Sequence, residues 1–128
     1  MSQAMIHLED LTLLTPLQEG ATVSRTVLTG DGARVVLFAF DAGQVLTEHA
    51  AAMPVLLQVL QGRLRVVADG RDVELRPAGL VYLDARLPHS VAAVTPTLLA
   101  LTMLDARAAG TTPGAGRPVE PSPEALVD

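Results

Sequence analysis

Residues 43–62 read GQVLTEHAAAMPVLLQVLQG, and the fold turns on how this stretch is taken. A glycine stands at each end, one histidine (His49) sits inside, and the second half is almost wholly apolar. Short apolar runs suit a buried strand or a buried helix segment equally well. Here Pro54 and Gly62 bound the run, and that punctuation favours a strand over 55–61.

The same punctuation recurs on both sides. Gly30-Asp31-Gly32, Asp41-Ala42-Gly43, Asp69-Gly70, Pro77-Ala78-Gly79 and Thr95-Pro96 all carry turn chemistry. Arg63-Leu64-Arg65-Val66 and Val73-Glu74-Leu75-Arg76 alternate strictly, as half-buried strands do. Asp69-Gly70 joins them, and Asp-Gly supplies the positive backbone angles of a tight hairpin. Strands are predicted over 21–29, 33–40, 44–49, 55–61, 63–68, 71–76, 80–83, 89–94 and 97–104. Many short strands at even spacing mean an all-β sandwich or barrel. The run TLLALTML at 97–104 is apolar on both faces, so it is either central or turned toward a partner subunit.

The chain divides into three parts. Residues 1–18 form an N-terminal segment, helical or strand-like, that covers or extends the barrel. Residues 19–105 form the barrel domain. Residues 106–128, rich in Pro, Gly and Ala, lack a core pattern and read as a flexible tail.

Composition excludes several functions. The chain has 128 residues, 49% of them hydrophobic and none of them cysteine. That is one globular domain without disulfides, thiolate metal sites or a cysteine nucleophile. A net charge of -5 and 2% aromatics argue against nucleic acid, which wants basic patches and stacking rings. No apolar run approaches a membrane span. The first residues do not follow the signal-peptide pattern, so a cytoplasmic protein is expected. Ser24 and Ser90 lack a nucleophile motif. The charges Arg63, Arg65, Asp72, Glu74 and Arg76 alternate with apolar residues and read as the solvated face of a hairpin.

The opening stretch resembles the first motif of the cupins: Gly, five residues, His-x-His, three or four residues, Glu, six residues, Gly. Gly43, His49 and Gly62 keep their places, while Ala51 stands at the second His position and Val55 at the Glu position. The segment AGLVYLDARLPHSVAA at 78–93 matches the second motif in spacing. His89 keeps the ligand position there. Ala78 and Arg86 replace glycines, Asp84 replaces a proline and Ala93 an asparagine. The resemblance implies an antiparallel jelly-roll β-barrel, commonly a homodimer, with a divalent metal such as Fe, Mn, Zn, Ni or Cu held inside the barrel.

Two functions follow from this resemblance. One is a small-molecule-binding protein, a sensor or carrier, with a degenerate metal site in the barrel that is occupied or vacant. Its small organic ligand would meet His49, His89, Ala51, Val55, Leu57, Met53 and Tyr82. The other is an oxygenase or isomerase that holds metal on His49 and His89, completed by water or a non-standard third ligand. Three protein ligands are usual in catalytic metal sites, and Ala51 and Val55 supply none. Glu48, His7, Tyr82 and Asp84 are the other donors within reach in sequence.

Overall fold

A computed structural model describes residues 4–105 of the chain; the predicted tail at 106–128 lies outside them. Nine strands run in order: β1 (Thr22–Thr29), β2 (Ala33–Phe40), β3 (Val45–His49), β4 (Val55–Gln61), β5 (Leu64–Ala68), β6 (Arg71–Leu75), β7 (Leu80–Leu83), β8 (His89–Ala93) and β9 (Thr97–Leu104). Each falls within one residue of the position its turns predicted. Apart from one 3-10 turn at Leu11–Leu13, the described residues contain no helix, and none is long and apolar enough to cross a membrane.

The strands form two sheets, β1-β2-β9-β4-β7 and β3-β8-β5-β6. The pairing has a simple rule. β2 pairs with β9, β3 with β8, β4 with β7 and β5 with β6, all antiparallel. One long hairpin, tipped by Asp69-Gly70, is therefore wound into two layers, which is the jelly roll. β1 is added outside β2.

Side chains alternate into a single core between the layers. Phe40, Val55, Leu57, Val59, Leu64, Val66, Val91 and Leu99 are all at or below 4% exposure and pack together. β9 lies between β2 and β4, so TLLALTML is central. Its outward residues Leu98 and Ala100 are also buried, as are their partners Ala39 and Leu37. Arg25 pairs with Leu37, so both face outward. The Arg25 guanidinium donates to the Leu14 carbonyl at 2.8 Å, which ties the N-terminal segment across this face.

The two layers meet along two seams, and these differ. At the β1–β3 seam, Thr22 Oγ1–H donates to Gln44 Oε1 and Gln44 Nε2 donates to Gly20 O, each at 3.2 Å. Asp41 accepts from the N–H groups of Gly20 and Ala42 at 2.6 and 2.8 Å. At the other seam β6 and β7 are both sheet edges and do not pair. The turn between them bonds to β4 instead: Ala78 N–H donates to Val59 O and Val59 N–H to Gly79 O. The barrel is thus a sandwich open along one side.

The backbone keeps what the letters of the two motifs have lost. Gly43 and Gly62 have φ of 84° and 86°; Ala78 and Arg86, at the two replaced glycine positions, have φ of 74° and 66°. A side chain in this left-handed region costs roughly 1–2 kcal/mol. The fold sustains that cost twice rather than change the path of the chain.

Candidate functional site

His49 ends β3 and His89 begins β8. The two are direct cross-strand partners. A bulge makes them so. Leu46 pairs with Val91, yet His49 pairs with His89, so β3 carries one extra residue between these pairs. On a regular strand the inward position after Leu46 would be Glu48. The extra residue shifts the alternation by one and puts His49 there instead, a common use of bulges.

The rings stand 4.4 Å apart between centroids, tilted by 59°. His89 is 3% exposed, whereas His49 is exposed to solvent. Each Nδ1 lies 2.9 Å from the backbone carbonyl two residues earlier, Thr47 O for His49 and Leu87 O for His89. A carbonyl only accepts, so each Nδ1 carries the proton. In the neutral rings both Nε2 atoms are then bare lone pairs, and neither has a protein partner among the described residues. Among the described residues the one fully buried side-chain polar atom without a partner is Thr15 Oγ1. His89 Nε2 therefore still touches open space, although the rest of the residue is enclosed.

Beside the pair runs a hollow of about 430 Å³ along the open seam between β6 and β7. Its floor is aliphatic, formed by Val66, Val73, Leu75, Val81, Leu83 and Leu87, and its rim carries Asp69, Arg71, Glu74, Tyr82 and Asp84. The hollow stops short of His89. Ala68, the partner of His89 across β5–β8, and Leu87, two residues before it, both line the hollow. Partial burial first, and the nearby Asp84 carboxylate second, hold the Tyr82 pKa above the usual tyrosine range.

The remaining predicted residues spread out. Val55 and Leu57, at 2% and 1% exposure, are packed into the core and line neither hollow. Ala51 is half-buried against the core, and its carbonyl accepts from Arg86 N–H at 2.7 Å, which clips the two motif segments together. Met53 lines a separate hollow of about 210 Å³ with Arg34 and Met103. Tyr82 lies on the larger hollow. The structure thus joins His49 to His89 and sets Tyr82 on the neighbouring hollow, but it does not gather all seven around one space.

No third metal donor joins the histidines. Among the described residues no group of three His, Asp or Glu side chains is arranged to hold a metal ion. His7 and Glu48 are exposed on their own segments, and Asp84 lines the hollow, which does not reach either histidine. Two imidazoles alone do not fit a complete catalytic metal centre. Sequence reasoning passed over Ala68, Leu87 and Arg71. The Asp69-Gly70 hairpin was visible, but their place beside His89 depends on the β5–β8 pairing, which no local signal announces.

No protein-family model matches the chain, and no curated protein is similar to it in sequence. Solved structures are. A cupin superfamily protein from Desulfitobacterium hafniense is 22% identical with a TM-score of 0.69, covering 73% of this chain and 86% of that one. An RmlC-like cupin protein from Desulfovibrio desulfuricans is 23% identical with a TM-score of 0.70, covering 78% and 97%. A cupin 2 conserved barrel domain protein from Leptotrichia buccalis is 26% identical with a TM-score of 0.69, covering 74% of this chain and 46% of that longer one.

Proposed function

From a chain that is a cupin by fold, we propose a small-molecule-binding protein, a sensor or carrier, whose ligand is held at the His49–His89 end without a complete metal centre. The observation that carries this reading is the pair itself: two apposed rings whose Nδ1 atoms are occupied and whose Nε2 atoms are free. A neutral Nε2 accepts from a ligand hydroxyl or amine, and an imidazolium donates to an anion. The adjoining hollow has the size of a small-molecule site, with an aliphatic floor under a charged rim.

One observation favours a second reading, a metal-dependent oxygenase or isomerase. Both Nδ1–H groups are held by carbonyl oxygens, as the outer nitrogen of a metal-ligating histidine commonly is. Elemental analysis of protein purified without a histidine tag separates the two. The first reading expects no stoichiometric iron, manganese, zinc, nickel or copper. Near-stoichiometric metal, lost in both His49→Ala and His89→Ala, would overturn it.

A homodimer belongs to the same proposal. With β9 central in its sheet within one chain, support comes from the N-terminal segment, where Met5, Ile6, Leu13 and Leu17 are 93%, 50%, 79% and 48% exposed. Such apolar exposure favours a partner surface. Sedimentation velocity of the full chain and of Leu13→Ser tests it, and a wild-type monomer at all concentrations would sink it.

A further inference from the structure

We propose that the hollow between β6 and β7 seats an organic ammonium ion with a compact apolar body. The proposal takes from the reading above only that a small molecule is held at this end of the sandwich. Its own support is Asp69, Asp84 and Tyr82, not the histidines.

The volume, about 430 Å³, suits a ligand of roughly ten to twenty heavy atoms. The aliphatic floor supplies affinity for an apolar body but no selectivity of charge. Charge is decided at the rim. Three carboxylates line the hollow, Asp69, Glu74 and Asp84, against one guanidinium, Arg71. Glu74 is matched by Arg63 and Arg76 at 3.7 and 3.5 Å. Asp69 and Asp84 form no ion pair among the described residues. They outnumber Arg71; Asp69 stands at the β5–β6 turn, next to Ala68, the partner of His89, and Asp84 just after β7.

Tyr82 sharpens the preference. Tyr82 and Asp84, two residues apart, both line the hollow, so the ring and the carboxylate share one wall of it. An ammonium there meets an aromatic face and a carboxylate together, and both attract cations. An anionic ligand of the same shape would meet two unneutralised carboxylates with only Arg71 to offset them. The apolar body would then lie along Val81, Leu83 and Val73 toward the β6–β7 turn.

The test uses two probes of like shape and opposite charge, phenethylammonium and hydrocinnamate, titrated into the full chain and followed by backbone amide chemical shifts. The expected result is saturable binding of phenethylammonium, with shifts confined to the hollow, and none of hydrocinnamate. Asp84→Asn removes the charge at nearly constant shape and should weaken binding at least about tenfold, the size of one charge-assisted hydrogen bond. Tyr82→Leu, at an exposed position, should weaken it too. The proposal is overturned if hydrocinnamate binds as well as the amine, if the amine does not bind, or if neither substitution changes its affinity. His49→Ala and His89→Ala are titrated in parallel. Amine binding that survives in both overturns the role of the histidines and upholds the hollow. Binding lost in both but indifferent to Asp84→Asn overturns the hollow and upholds the histidines.

Discussion

Gly62 closes the stretch on which the fold depends, and replacing it by alanine should be among the most damaging small changes available. Two separate obligations fall on it. Its φ is 86°, and a Cβ built there would lie 2.1 Å from Pro96 O, 2.6 Å from Thr97 Oγ1 and 2.8 Å from Thr97 Cα. The conformational part costs about 1–2 kcal/mol. Forcing the β8–β9 turn away adds about 1–3 kcal/mol of overpacking. Thr97 Oγ1 also donates within a buried cluster, with Arg63 O at 2.9 Å and Thr95 O at 2.7 Å, and disturbing it adds roughly 1 kcal/mol. The sum is about 4 kcal/mol, which in a domain of this size lowers Tm by roughly 15–30 °C. Gly70→Ala is the internal control. Its φ is 68° but nothing lies within 4 Å of the added Cβ, so only the conformational part applies, about 1–2 kcal/mol. Thermal melts by circular dichroism, with urea titrations for the free energies, compare the two. If Gly62→Ala costs no more than Gly70→Ala, the steric argument is wrong and the two turns are not in contact as described.

Three further outcomes are expected. Ala78→Gly and Arg86→Gly relieve left-handed residues, so each should raise stability by about 0.5–1 kcal/mol after the entropy of the added glycine is set against the relief; destabilisation in either melt would contradict this. Asp41 has its carboxyl pKa lowered by the Gly20 N–H first and the Ala42 N–H second. Its stabilisation is therefore present above the unfolded pKa and lost as pH falls through the folded one. The stability difference between wild type and Asp41→Asn at neutral pH should shrink on acidification, and a constant difference would refute it. Tyr82 should titrate above 10.0 by alkaline ultraviolet absorbance, and Asp84→Asn should move its midpoint back down; an unmoved midpoint would deny the contact.

The strands were legible because turn chemistry is local. Asp69-Gly70 or Pro77-Ala78-Gly79 announces a reversal whatever the rest of the chain does. The two motif frames went further and brought His49 and His89 together across a gap of forty residues. What stayed hidden depends on long-range pairing. The β3 bulge falls on Thr47-Glu48, where no glycine marks it, so the extra residue is visible only once Leu46 is matched to Val91. Val55 and Leu57 stand at positions that read equally as pocket wall or core, and only the packing of Leu83 and Leu99 against them assigns them to the core. Arg86 stands at a glycine position of the second motif frame, but that it keeps the glycine's left-handed angle shows only in the backbone.

The central place of β9 bears on how the protein is made. Among the described residues β9 is the last strand to leave the ribosome, and it lies between β2 and β4, the first and third strands of the wound hairpin. Until residue 104 has emerged, the larger sheet is missing its middle, and the inner edges of β2 and β4 expose unpaired backbone beside Leu37, Ala39, Val55 and Leu57. Edges of this kind recruit other chains. The dipole ladder of the larger sheet therefore closes in one late step, and slowing synthesis between β4 and β9 should raise the fraction of chain that aggregates before that step.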